Sequence, residues 1–326
     1  MRITSSAAWL VRIGFAGAAL VTVAASAHAD PRADVCGNVD YNAMLLRIIE
    51  GLPNGGGYSL NAKTVEMPTV TAHNIGAGNW ELRVYDGHPS HCTGAAYALF
   101  THLVAKLHNG GAIHLGARAL ASLEVTRTTP DGTARLDGEG PFGIFNSNGA
   151  GVAAFLKHTG TGFSFRDDKL EFARAGDFLK LFWNGNVGAT EQGHQVVYTG
   201  HRTIAGRDMV CFWGSQRQNR KRRGGRTEAL YFPASATAKV HDGYGEVCRP
   251  RGDIKQMIFS RVTCMAHLSA GLESMAKKAG GPPDLFVDEY LRSISSKSSD
   301  HATLNRAYDI LPAPASFADS GMAPQQ

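Results

Sequence analysis

Cys92 follows a turn-forming run, Asp86-Gly-His-Pro-Ser-His91, and opens a stretch, 92–107, in which Ala95, Ala96, Leu99, Phe100, Leu103 and Leu107 fall at helical spacing. Gly110 and Gly111 stand just past its end, where glycines commonly terminate helices. A thiol at a helix start meets unsatisfied N–H groups and the positive end of the helix dipole. That setting lowers a cysteine pKa and favours the nucleophilic thiolate. The same N–H groups can hold a developing oxyanion. A packing cysteine more often lies mid-element among apolar neighbours. Here polar residues come before Cys92, and Thr93 and Gly94 follow it.

A thiol nucleophile needs a base. His194 starts the strand-like run His-Gln-Val-Val-Tyr-Thr, and Gly193 before it leaves room for a close approach. His102 and His108 lie on the Cys92 helix itself and read as ordinary histidines. A third polar group usually orients such a base. The next strand-like run ends in Ser215 and Gln216. Both faces of that run are mostly apolar, so either residue fits. Gln216 is preferred because its amide oxygen accepts an imidazole N–H.

The elements that must position these groups fall into two textures. Residues 41–50 carry Met44, Leu45, Ile48 and Ile49 at helical spacing, and 152–158 is also helical. Residues 65–70 and 80–85 look extended. From Gly176 the chain turns to short strands at 177–183, 194–199, 209–213, 237–242 and 255–262, with helices expected at 268–276 and 285–294. Helices followed by consecutive strands joined by short turns argue for an α+β fold with an antiparallel sheet. A chain with 43% hydrophobic and 19% charged residues is no disordered polyampholyte.

Four short motifs in order then produce a resemblance. Cys-Thr-Gly opens a helix, and Ala-Gly-Asp-Phe-Leu-Lys-Leu-Phe-Trp follows. Gly-His-Gln-Val-Val-Tyr-Thr-Gly comes next, then Val-Cys-Phe-Trp-Gly-Ser-Gln. Over roughly residues 84–217 this resembles the NlpC-type and CHAP-type cysteine peptidases, papain-like amidases of the bacterial cell wall. The resemblance implies a papain-like fold, in which a helix with an N-terminal Cys packs on an antiparallel sheet. It implies Cys92 as nucleophile, His194 as base and Asp177 as a structural carboxylate. Two departures matter. His91 stands where the family often has Asp, which makes it a candidate substrate contact. The 102 positions from Cys92 to His194 exceed the family gap, so an insertion is expected around 110–170.

Arg2 and Arg12, the apolar run 13–25, and Ala27 and Ala29 predict a signal peptide over 1–29. One hydrolase domain is expected over 30–295 and a flexible tail over 296–326, with no membrane span once the leader is removed. The remaining net charge of +3 is too mild to imply nucleic acid. Six cations lie between Arg217 and Arg226. They read as a solvated loop, or as a clamp for substrate carboxylates or wall polymers in which Arg220 and Arg222 bind substrate. Arg251-Gly-Asp253 reads as a chance tripeptide. No zinc-ligand spacing or phosphate loop is present, so no metal and no cofactor is expected. Five cysteines in an exported chain leave an odd thiol. The expectation is a free Cys92, with Cys248–Cys264 the favoured pair among Cys36, Cys211, Cys248 and Cys264.

The expected function is an exported, periplasmic or secreted cysteine hydrolase that cleaves amide bonds, with peptidoglycan stem peptides the favoured substrate. Two alternatives stand beside it. One is a thiol hydrolase or acyltransferase with a non-wall substrate. The other is a non-catalytic wall-binding or interaction protein on the same fold.

Overall fold

The computed structural model describes Cys36 and residues 39–278, apart from 62, 126–139, 148–149, 168–169, 186–190, 219, 224–225, 230 and 236–238. The expected leader, the helix over 285–294 and the tail lie outside the described residues. No described helix is long and apolar enough to cross a membrane.

Helix α1 (Tyr41–Gly51) starts where the Asp40 side chain accepts a hydrogen bond from the Ala43 N–H at 2.9 Å. A short strand, β1 (Gly55–Gly56), precedes the hairpin β2 (Thr69–Gly76) and β3 (Asn79–Tyr85). The long helix α2 (Cys92–Asn109) comes next. It is followed by α3 (Ala117–Ser122), α4 (Gly140–Phe145) and α5 (Val152–Thr159). The strands are β4 (Gly162–Arg166), β5 (Phe178–Phe182), β6 (His194–Ile204) and β7 (Arg207–Gln216), then β8 (Arg220–Arg223) and β9 (Arg226–Ala229). After them come β10 (Phe232–Pro233), β11 (Gly243–Pro250), β12 (Gln256–Val262) and a last helix, α6 (Leu268–Lys278).

The main sheet runs β1-β11-β7-β6-β5-β12-β4, with β10 also on β11, and its strand pairs are antiparallel. The fold is thus mixed, with helices packed on a mostly antiparallel sheet, consistent with the α+β expectation. One expected strand moves. Residues 239–241 are loop, and the strand begins at Gly243, where it pairs with Gln216. The basic run was expected as a loop, but its backbone forms the separate β8–β9 hairpin.

Helix α2 is the centre of the molecule. Its amphipathic spacing predicts one buried face, yet Ala95 through Thr101 are all buried, together with Leu103, Val104 and Leu107. Neighbours beyond the sheet account for the difference. Strand β3 of the hairpin and helix α1 pack along it, and Phe142, Phe145 and Phe155 from α4 and α5 pack edge-on or tilted against Tyr97 and Phe100 at 5.0–5.7 Å. The sheet side is closed by Phe178, Phe182, Val197 and Trp213. The opposite face of the same strands, carrying Leu179, Leu181, Val196 and Phe212, forms a second apolar cluster. This two-residue alternation fixes which side chains of β5, β6 and β7 meet α2.

Two disulfides join Cys36 to Cys264 and Cys211 to Cys248, leaving Cys92 as the free thiol. The expected Cys248–Cys264 pair is therefore wrong, and the topology explains why. A hairpin around Gly252 and Asp253 would have set the two side by side. Instead the Arg251–Asp253 turn leads to a crossover, and β7, β6 and β5 lie between β11 and β12. Cys248 faces Cys211 directly across the β11–β7 ladder, with their Cα atoms 3.9 Å apart. Cys36 bridges to Cys264 at the end of β12 and ties the segment before α1 to the sheet. Each crosslink contributes about 2–4 kcal/mol by restricting the unfolded chain. Peptide mapping of non-reduced, iodoacetamide-treated protein should recover these two pairs and one carbamidomethyl label, on Cys92. A disulfide involving Cys92 would contradict the topology.

Candidate functional site

Cys92 is the first residue of α2, half-buried, and lines a cleft of about 250 Å³. No acidic residue lies in the first turn of the helix, so a Cys92 thiolate would be the anion nearest that dipole end. The turn before it is pinned to the sheet. The Ser215 hydroxyl donates to the Ser90 carbonyl at 3.2 Å, which brings the end of β7 against the helix start.

His91 caps the helix. Its Nδ1 accepts a hydrogen bond from the Gly94 N–H at 3.2 Å. An Nδ1 used as acceptor places the proton of the neutral ring on Nε2. The ring is buried, and Nε2 has no well-aligned partner. His91 lines the same cleft as Cys92 and so presents a donor there. The residue was expected to contact substrate. Its observed place is in the helix cap, with its free nitrogen beside the thiol.

His194 begins β6 and also lines the cleft. Strand alternation assigns it to the face of Val196 and Phe212, away from the body of α2. As the first residue of its strand it sits at the sheet end where the helix start arrives, so it still reaches the thiol. Trp183, Phe212 and Tyr231 surround its ring at 6.2, 5.9 and 6.4 Å between centroids. Gly193 is required here. Its φ is 78°, and a Cβ would lie 2.6 Å from Lys180 Cε.

The environment decides the state of the thiol. Burial alone would raise the Cys92 pKa. Hydrogen bonding to His194 and His91, together with the electrostatic influence of the two rings, overturns that effect and holds the thiol well below its ordinary value. The Nε2 atoms of both rings lack a well-aligned bond among the described residues. Loose alignment is common before substrate closes a catalytic site.

The third polar residue is divided between two positions. Ser215 holds the Ser90 turn and so positions Cys92. The β6–β7 pairing is formed from Val197 opposite Trp213, and carrying that register further sets His194 opposite Gln216. Gln216 is buried, and its amide N–H donates to the Gly245 carbonyl at 2.9 Å. Among the described residues its buried Oε1 has no hydrogen-bond partner, His194 included.

Asp177 lies outside the cleft. Fully buried, it accepts hydrogen bonds from Arg261 at 2.7 and 2.8 Å, from Asn42 at 2.8 Å and from the Arg174 N–H at 2.8 Å. It thereby ties β12 and α1 to the start of β5. The side chains of Arg220 and Arg222 lie outside the described residues. The cation of that run that lines the cleft is Arg217, with its guanidinium 5.8 Å from the Tyr58 ring. Tyr58, Lys180, Trp183 and Tyr231 are cleft residues to which the motif reading gave no role. No protein-family model, curated protein or solved structure matches this chain.

Substituting His91→Asn separates the cap from the donor. Asparagine is a strong N-cap but cannot extend to the Nε2 position. The variant should keep its Tm, while its alkylation by iodoacetamide in mildly acidic solution slows several-fold as the thiol pKa rises. An unchanged rate–pH profile would remove His91 from the electrostatics of the site.

Proposed function

We propose that the chain is a papain-like cysteine hydrolase that cleaves amide bonds, with Cys92 as nucleophile and His194 as acid and base. The observation that carries this reading is the state of the one free cysteine. It alone of five escapes crosslinking, it starts a capped helix at a cleft, and two imidazoles hold its pKa down. A structural cysteine has no use for that arrangement.

In the proposed reaction the thiolate attacks the amide carbonyl carbon. The Cys92 backbone N–H and the His91 Nε2–H stabilise the oxyanion. Protonated His194 gives its proton to the leaving amine as the C–N bond breaks, which leaves a thioester on Cys92. Neutral His194 then takes a proton from water, whose oxygen attacks the thioester, and the carboxylic acid and the thiolate are released. The ordering resembles that of the NlpC-type and CHAP-type enzymes, and this favours stem peptides of peptidoglycan as substrate. Two disulfides agree with an oxidising compartment and support a periplasmic or secreted location.

Mass spectrometry of purified sacculi digested with wild type should show new peptide fragments that are absent with Cys92→Ala. Cys92→Ala and His194→Ala should each reduce turnover by roughly three orders of magnitude, and the double variant should be little worse, because the two residues act as one unit. Clean multiplication of the two losses would contradict the dyad. Intact sacculi combined with turnover of other acyl substrates would move the reading to a thiol hydrolase or acyltransferase with a non-wall substrate.

A further inference from the structure

Lys180 occupies the centre of β5, in the run Phe-Leu-Lys-Leu-Phe, where all five residues are buried. It is 4% exposed and lines the Cys92 cleft. Its ammonium carries three donors. Among the described residues its hydrogen bond is to the Ser147 carbonyl, at 3.4 Å. The carboxylate near it, Glu191, is already used. Glu191 accepts hydrogen bonds from the Gly193 N–H at 2.9 Å and from the Trp183 N–H and Asn184 Nδ2 at 3.2 Å each. Burial holds the Lys180 pKa below its ordinary value, and the charges of Cys92 and Glu191 offset only part of that effect.

The surroundings make room for this side chain. A Cβ on Gly193, whose φ is 78°, would meet Lys180 Cε at 2.6 Å. A leucine in this strand would avoid the cost of burying an ammonium with unused donors. The cleft wall adds to the charge. His91, His194, Lys180 and Arg217 line it, and among the described residues no aspartate or glutamate does. Arg217 is exposed at the rim against Tyr58.

We propose that Lys180, assisted by Arg217 at the rim, binds a carboxylate group of the substrate next to the bond that Cys92 attacks. The site would then select peptides carrying a free carboxylate beside the scissile amide. This deepens the hydrolase reading, because it names the chemical class that the cleft accepts. It also relocates the cationic contact, from the β8–β9 hairpin to a buried lysine beside the nucleophile.

Two small reagents test this without knowledge of the substrate. Iodoacetate and iodoacetamide alkylate Cys92 by the same displacement and differ in carrying a carboxylate or a neutral amide. A thiolate without a carboxylate site repels the anion and reacts faster with the amide. Wild type should react faster with iodoacetate, with a rate that saturates as reagent increases, and acetate should compete. Lys180→Met keeps the length and removes the charge. It should lower the iodoacetate-to-iodoacetamide rate ratio by about tenfold, the scale of one charge-assisted contact, and Arg217→Ala should lower it less. If Lys180→Met does not fold, saturation and acetate competition on wild type still decide. A wild-type preference for iodoacetamide with no competition by acetate would overturn the proposal. So would a ratio that Lys180→Met leaves unchanged. The carboxylate site stands if the ratios behave as expected while sacculi stay intact, and the hydrolase reading then fails alone. Sacculus cleavage without iodoacetate preference gives the reverse.

Discussion

A helix whose first turns are buried must still satisfy the N–H groups of its start, and in this protein that requirement shapes everything around Cys92. Thr93 through Thr101 of α2 are buried, so the Gly94 N–H cannot rely on water. His91 supplies the acceptor with Nδ1, and this use of the ring turns Nε2 toward the cleft. Ser215 fixes the preceding turn to β7. The positive end of the helix is then presented at the end of the sheet, beside the first residue of β6. A thiol at that point is drawn toward its anionic form by the helix, by His194 and by His91 together.

Much of this was legible in the residues. A thiol after a turn and before an apolar helical period marks a helix start, and a histidine opening a strand after glycine marks a sheet end. Both are local signals, and both α2 and β6 begin where those signals place them. Long-range facts were less accessible. The pairing of Cys248 with Cys211 depends on strand order, which a local turn at Arg251–Asp253 does not encode. The burial of both faces of the first half of α2 depends on which elements pack against it, β3 and α1 among them, and a helical period on its own does not encode its neighbours. The fifth strand carried a signal that went unused. Period-two alternation puts Lys180 on one face with Phe178 and Phe182, and a lysine between two core phenylalanines needs a reason.

The cleft concentrates positive charge around a single ionisable thiol. Two histidines adjust that thiol, and a buried lysine and a rim arginine complete a wall that carries no carboxylate among the described residues. Charges in such a place act in a medium less polar than water, so each has more effect than it would on the surface. The same crowding explains the glycine at 193, where any side chain would displace Lys180 and with it the approach of His194. The crosslinks lie away from this cleft and brace the sheet that carries it.

The central claim is that Cys92 is ionised in the folded protein before any substrate arrives. Ultraviolet thiolate absorbance, titrated against pH and taken as wild type minus Cys92→Ala, measures this directly. The described geometry predicts a thiolate signal that persists into mildly acidic solution and disappears when the protein is unfolded with its disulfides intact. A signal that develops only in alkaline solution, near the free-cysteine pKa of about 8.5, would contradict it.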